Sequence, residues 1–134
     1  MHQLFRETDS VDYSLRALQL SEKLDYKRGI ALSFLNIGRY YYFDGKHDIS
    51  LDYLGKAVKI AKEINHKKVL ASAYRYIGFI YRPNDSFTAE SYYKKSLKIC
   101  LETGDDIAAS YALSAIGNIY EGSLNADPAN VTTA

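Results

Sequence analysis

Three segments of this chain carry one short pattern at a nearly constant spacing. Asn36-Ile37-Gly38-Arg39-Tyr40-Tyr41, Tyr76-Ile77-Gly78-Phe79-Ile80-Tyr81 and Ala115-Ile116-Gly117-Asn118-Ile119-Tyr120 all read x-Ile-Gly-x-x-Tyr, with the glycines 40 and 39 residues apart. A fixed period in this range belongs to stacked repeats. In such a stack each unit buries its apolar face only against its neighbours, and the molecule grows in one direction.

A second register keeps the same period. Ala17-Leu18-Gln19-Leu20, Ala57-Val58-Lys59-Ile60 and Ser96-Leu97-Lys98-Ile99 lie 40 and 39 residues apart, and Asp12-Tyr13 precedes Asp52-Tyr53 by 40. Both registers are helical. Ile30, Phe34, Ile37 and Tyr41 recur at i, i+4, i+7 and i+11 in the first kind of segment. Leu51, Leu54, Val58 and Ala61 recur at i, i+3, i+7 and i+10 in the second kind. Each spacing lays one apolar stripe along a helix, and neither alternates as a strand would.

Short breaks separate these segments. Asp44-Gly45-Lys46 reads as a tight turn, with Gly45 suited to the left-handed residue after a helix end. Asp44, Asp48, Asp105 and Asp106 read as caps, and Pro83 stops a helix within Arg82-Pro83-Asn84-Asp85-Ser86. The expected elements are six helices, at 8–25, 27–44, 48–65, 68–83, 87–103 and 106–122. One repeat domain spans 1–124, divided into a partial unit 8–26, full units 27–66 and 67–105, and a partial unit 106–122. The small polar stretch 125–134, with Pro128, reads as a disordered tail.

Glycine inside a helix costs about 1 kcal/mol against alanine. Bearing that cost three times at one phase points to a steric reason. Gly38, Gly78 and Gly117 are expected where the second helix of a pair crosses the first, so that a side chain would push the axes apart.

The composition narrows the function. Charged residues make up 25% and the net charge is +1, from 17 Lys and Arg against 16 Asp and Glu. A dedicated nucleic-acid binder carries a clear basic excess, so none is expected as partner. No apolar stretch in the sequence reaches membrane-spanning length or forms a signal-peptide core. With the single cysteine, Cys100, this leans toward a reducing, cytoplasmic setting.

As a set, these residues resemble the tetratricopeptide repeat, whose signature is an aromatic, then Leu-Gly, then Tyr in the first helix, with Ala, an aromatic and Ala in the second. Phe34, Ile37-Gly38 and Tyr41 supply the first helix of one unit, with Ser50, Leu54 and Ala57 in its second. Tyr74, Ile77-Gly78 and Tyr81, then Ala89, Tyr93 and Ser96, supply the next, and Leu113, Ile116-Gly117 and Tyr120 open the last. Ser10, Ser14 and Ala17 look like a second helix without its partner. The period departs from the family's roughly 34 residues, and the closing proline is absent. Longer helices of this kind resemble repeat regions of bacterial signalling and sensor proteins.

The resemblance implies an all-α fold, a right-handed superhelix of about six antiparallel helices. It implies a non-enzymatic module that binds a peptide or protein in a concave groove lined by first-type helices. The groove phases carry over to Leu32, Leu35, Asn36, Arg39 and Tyr42; to Ser72, Arg75, Tyr76, Phe79 and Arg82; and to Tyr111, Ser114, Asn118 and Glu121. Asn36, Arg39, Arg75 and Arg82 would hold a peptide backbone or carboxylate, because the arginine fork donates two parallel hydrogen bonds. Tyr42, Tyr76 and Phe79 would give apolar grip. The bland alternative is plain surface, or cover by a neighbouring repeat. The lysine and asparagine set that binds acidic chaperone tails in some family members is not reproduced.

No catalytic set accompanies this groove. There is no phosphate-binding glycine loop, no His-Glu-x-x-His and no Gly-x-Ser-x-Gly. His2, His47 and His66 lack metal-ligand spacing, and no cofactor or metal is expected. Cys100 shares a small-residue phase with Ala61 and Ser21 and reads as a buried inert thiol. Lys56, Lys59, Lys62, Lys94, Lys95 and Lys98 read as solvated outer faces. The sequence opens on a second-type helix and closes on a first-type one, each without its partner. It therefore reads as a fragment of a larger regulatory protein, or as a chain that self-associates through these terminal helices.

Overall fold

The computed structural model describes the backbone of residues 2–126 and the side chains of residues 10–122. It is all-helical over that range, with α1 (His2–Lys23), α2 (Lys27–Phe43), α3 (His47–Glu63), α4 (Lys67–Tyr81), α5 (Ser86–Thr103) and α6 (Asp106–Ala126). No strand occurs among the described residues. Helix α1 starts earlier than its apolar periodicity, and α6 runs four residues past the expected end, taking in Asn125 and Ala126. The remainder of the expected tail, 127–134, lies outside the described residues.

Each helix packs on the next in chain order. Helices α2 and α4 also touch each other, while no comparable contact joins α1 to α3 or α3 to α5. The layer holding α2 and α4 is the compressed one, so this junction bends with the first-type helices on its inner side.

Two glycines explain how closely the pairs approach. A Cβ on Gly38 would lie 2.8 Å from two side-chain carbons of Leu54 and 3.3 Å from its backbone nitrogen. A Cβ on Gly78 would fall onto the ring of Tyr93. Leu54 and Tyr93 are completely buried, so neither can swing aside. The Ser50 hydroxyl, also buried, donates to the Gly38 carbonyl at 2.6 Å, and Ser96 donates to the Ala71 carbonyl at 2.8 Å. Ala57 and Ala89 are fully buried beside these crossings.

Gly117 departs from the expectation. It is exposed and a Cβ there would meet nothing within 4 Å. The first two glycines are covered by the helix that follows their own; the described residues hold no helix after α6 to lie across the third.

The outer side of each pair carries a repeated aromatic group. Tyr41 stacks on Tyr53 at 5.9 Å and 10°, with Phe34 at 6.1 Å from Tyr53 and Lys56 Nζ 5.2 Å from the Tyr53 centroid. One unit later Tyr81 stacks on Tyr92 at 5.9 Å and 4°, with Tyr74 5.9 Å from Tyr92 and Lys95 Nζ at 5.0 Å. The ammonium groups of these exposed lysines thus lie over the outer rings while remaining open to water.

The turns repeat as well. Asp25 (φ 50°), Asn65 (φ 55°) and Gly104 (φ 73°) occupy one phase after the second-type helices, all left-handed. Gly45 (φ 78°) does the same after α2. Asp85 caps α5 by accepting from Thr88 N at 3.0 Å, and Asp105 caps α6 by accepting from Ala108 N at 3.1 Å. Asp48 does not cap α3: Lys46 is the N-cap residue, and Asp48 lies in the first turn, where its charge still favours the helix dipole. Asp44 sits at the C-terminal end of α2, its carboxylate 3.5 Å from Lys46 Nζ. The cap of α4 is His66, whose Nδ1 accepts from Val69 N at 3.2 Å.

Candidate functional site

Along the inner side of α2 and α4 lies a continuous aromatic array. Tyr42 meets Tyr76 at 5.6 Å and Phe79 at 5.9 Å, and Tyr76 meets Phe79 at 5.4 Å. Phe43, 72% exposed, extends the array at 6.0 Å from Tyr76. Phe79 continues inward to Tyr93 at 5.8 Å. Edge and tilted geometries prevail, as ring quadrupoles favour.

Two guanidinium groups lie on this array. Arg39 sits 5.4 Å from the Tyr76 ring centroid. Arg75 sits 5.8 Å from Tyr76 and 5.6 Å from Tyr111. The ion pairs among the described side chains are Arg16–Asp12, Lys27–Glu63, Lys46–Asp44, Lys56–Asp52 and Lys94–Glu90. Neither Arg39, Arg75 nor Arg82 takes part in them. The aromatic faces orient Arg39 and Arg75 without occupying their N–H donors, which leaves both forks able to grip an oxyanion.

Neither protein-family models nor curated proteins give a match to this chain. The site therefore rests on its own geometry.

The expected groove residues divide into five groups. Arg39, Tyr42, Arg75, Tyr76 and Phe79 are brought together in the array, although Tyr76 is largely buried beneath the arginines. Leu35 is not surface but core: it is one of the side chains that close the α2–α4 junction. Asn118 and Arg82 meet elsewhere, in a cleft with Ser86, Ile119 and Gly122 between the α4–α5 turn and α6. Leu32, Asn36, Ser114 and Glu121 are exposed.

Ser72 and Tyr111 line a further cavity, of about 540 Å³, between α4, the end of α5 and the start of α6. Lys67, Lys68 and Thr103 belong to it too and were not legible as site residues. Comparing one repeat with the next, phase by phase, singles out Thr103, which stands where the preceding repeat has Ile64, but not Lys67 and Lys68, which follow Lys27 and Arg28.

Elsewhere the titratable groups are structural. The Tyr120 hydroxyl donates to Glu90 at 2.7 Å and Lys94 pairs with the same carboxylate at 2.8 Å. These bonds, that of Lys94 foremost, hold the Glu90 carboxyl below its ordinary range. Burial pushes the Cys100 thiol up, which disfavours the thiolate a nucleophile needs. His47 is exposed and stacks on Tyr42 at 5.7 Å. No three His, Cys, Asp or Glu side chains among the described residues are grouped as a metal would require. No helix among them is long and apolar enough to cross a membrane.

Proposed function

We propose that this chain is a non-enzymatic binding module of tetratricopeptide-repeat type that presents the α2–α4 face to a peptide or protein segment, within a regulatory or sensor protein. The observation that carries this reading is the placing of Arg39 and Arg75 against Tyr76, with neither guanidinium in an ion pair among the described side chains. Aromatic rings supply contact area at low entropy cost, and paired forks supply bidentate recognition of acidic groups. The glycine crossings at Gly38 and Gly78, and the small residues Ser50, Ala57, Ala89 and Ser96 beside them, support the family reading.

Selection from a displayed random peptide library tests it. Enriched sequences should be acidic with an aromatic or aliphatic anchor. Arg39→Ala, with its melting temperature unchanged, should weaken them by about tenfold, the worth of one charge-assisted pair. No enrichment, or enrichment indifferent to both Arg39→Ala and Phe79→Ala, removes the reading.

Self-association is a second reading, and a specific observation favours it. Helix α1 carries half of the outer aromatic group, Tyr13 with Arg16 at 5.7 Å. Helix α6 carries the other half, Leu113 and Tyr120, beside the bare Gly117. Tyr13, Leu113 and Tyr120 are all exposed. Helix α1 of one copy laid across α6 of another would complete the group and cover the glycine. The contact is heterologous and would propagate. Sedimentation should then show mass rising with concentration and Gly117→Leu abolishing the rise; a strict monomer at high concentration removes this reading.

A further inference from the structure

The repeats of one chain serve as references for one another. At the α2–α4 junction Leu35 and Val69 are buried in the main core, and Ile64 packs against it. At the same phases of the next junction, 39 or 40 residues on, stand Arg75, Ala108 and Thr103. One large apolar side chain has become a cation, a second has shrunk, and a third has gained a hydroxyl. The junction closes in the first case and opens in the second, and the opening is the cavity of about 540 Å³. That size falls within the range of about 300–1,000 Å³ usual for ligand sites.

The lining is net positive. Lys67, Lys68 and Arg75 face one carboxylate, Asp105, which is already engaged with the Ala108 N–H. Arg75 is half-buried and rests between Tyr76 and Tyr111. The floor holds Ala71, Ile99 and Cys100, all buried. A guanidinium held against apolar walls is costly unless an anion meets it, and walls of low dielectric strengthen that attraction.

We propose that this cavity is an oxyanion site, which takes a carboxylate or phosphate group. Arg75 grips two oxygens with its fork, Lys67 and Lys68 add point charges, and the Ser72 and Thr103 hydroxyls offer further donors. The anion comes either from a free small acid or from an acidic side chain of the segment bound on the α2–α4 face; only the latter source rests on the proposed binding function.

The test is an amide-resolved NMR titration of the folded chain with inorganic phosphate, glutarate and pentaglutamate. Phosphate should give saturable shifts at Ser72, Ala108 and Tyr111. Arg75→Leu should abolish them while melting at or above wild type, since the preceding repeat already accommodates Leu35 at that phase. Lys67→Gln and Lys68→Gln should each weaken binding by about threefold, and Lys59→Gln on the outer face should leave it unchanged. Pentaglutamate at least about tenfold tighter than glutarate assigns the anion to a polypeptide; equal affinities assign it to a small acid, and either supports the site. Absent shifts, or unsaturable shifts spread over every surface lysine, overturn it. The outcomes separate from those of the binding face: phosphate shifts lost in Arg75→Leu uphold the cavity even if displayed peptides ignore Arg39.

Discussion

Tyr93 lays its ring over Gly78, where an added Cβ would sit 2.6 Å from Cδ1. The contact sets the approach of α5 to α4, because the ring is enclosed and the glycine carbon is backbone. Gly78→Ala should destabilise the chain by about 1–3 kcal/mol through overpacking. Gly117→Ala, at the same phase but in open space, should stabilise it by about 0.5–1 kcal/mol through helix propensity alone. Urea denaturation of the two variants reads this opposition directly; effects of the same sign would deny that the crossing is what selects glycine.

The Tyr93 hydroxyl is buried without a hydrogen-bond partner. Burial pushes its pKa up to about 12, against an opposing pull from Arg82. The folded chain therefore holds this proton at a pH where the unfolded chain has released it. Tyr93 contributes its full stability below about pH 10, and the contribution drains away as pH rises from 10 toward 12. Tyr93→Phe should melt at or above wild type at pH 7, since an unmatched buried hydroxyl is removed. It should also lose less stability between pH 10 and 12, measured by thermal melts at stepped pH.

The turns after α1, α3 and α5 use Asp25, Asn65 and Gly104 in one left-handed conformation. Aspartate and asparagine tolerate it better than other side chains, yet less well than glycine. Asn65→Gly should be neutral or stabilising by up to about 1 kcal/mol, and Asn65→Val should cost about 1–2 kcal/mol. Equal stabilities for the two would mean the turn relaxes into another conformation.

Cys100 forms part of the cavity floor yet is only 2% exposed, and burial raises its thiol. Alkylation by iodoacetamide at pH 8 should be slow in the folded chain and should accelerate at least about tenfold across the urea transition, because the thiolate is the reacting form. Rapid labelling without urea would place the sulfur at the surface instead.

Much of this architecture could be read from the periodicity. Gly38 and Gly78 announced their crossings because a costly residue at a fixed phase needs a steric cause. Gly117 carried the same signal and misled, since phase reports what a position was shaped for and not what covers it. Asp48 looked like a cap because aspartate usually is one; the helix begins one residue before it, so its carboxylate adjoins the first turn. His66 was passed over because imidazole is an uncommon acceptor at that place. Leu35 and Arg75 share a groove phase, and only packing distinguishes the one that plugs a junction from the one that leaves it open. Lys67 and Lys68 had no pattern to mark them, as they gain meaning from the cavity beside them.

The recurring left-handed corner has a consequence for how such a molecule can be lengthened. Because Asp25, Asn65 and Gly104 hold one left-handed turn after each second-type helix, inserting another copy of residues 67–105 should extend the stack by one more hairpin, with helix axes about 8–10 Å apart, while the bend at each junction follows the side chains that close it, as Leu35 and Val69 do and Arg75 and Ala108 do not. Length is thus counted in whole hairpins, while curvature is set junction by junction through the bulk of the side chains lodged between successive first-type helices.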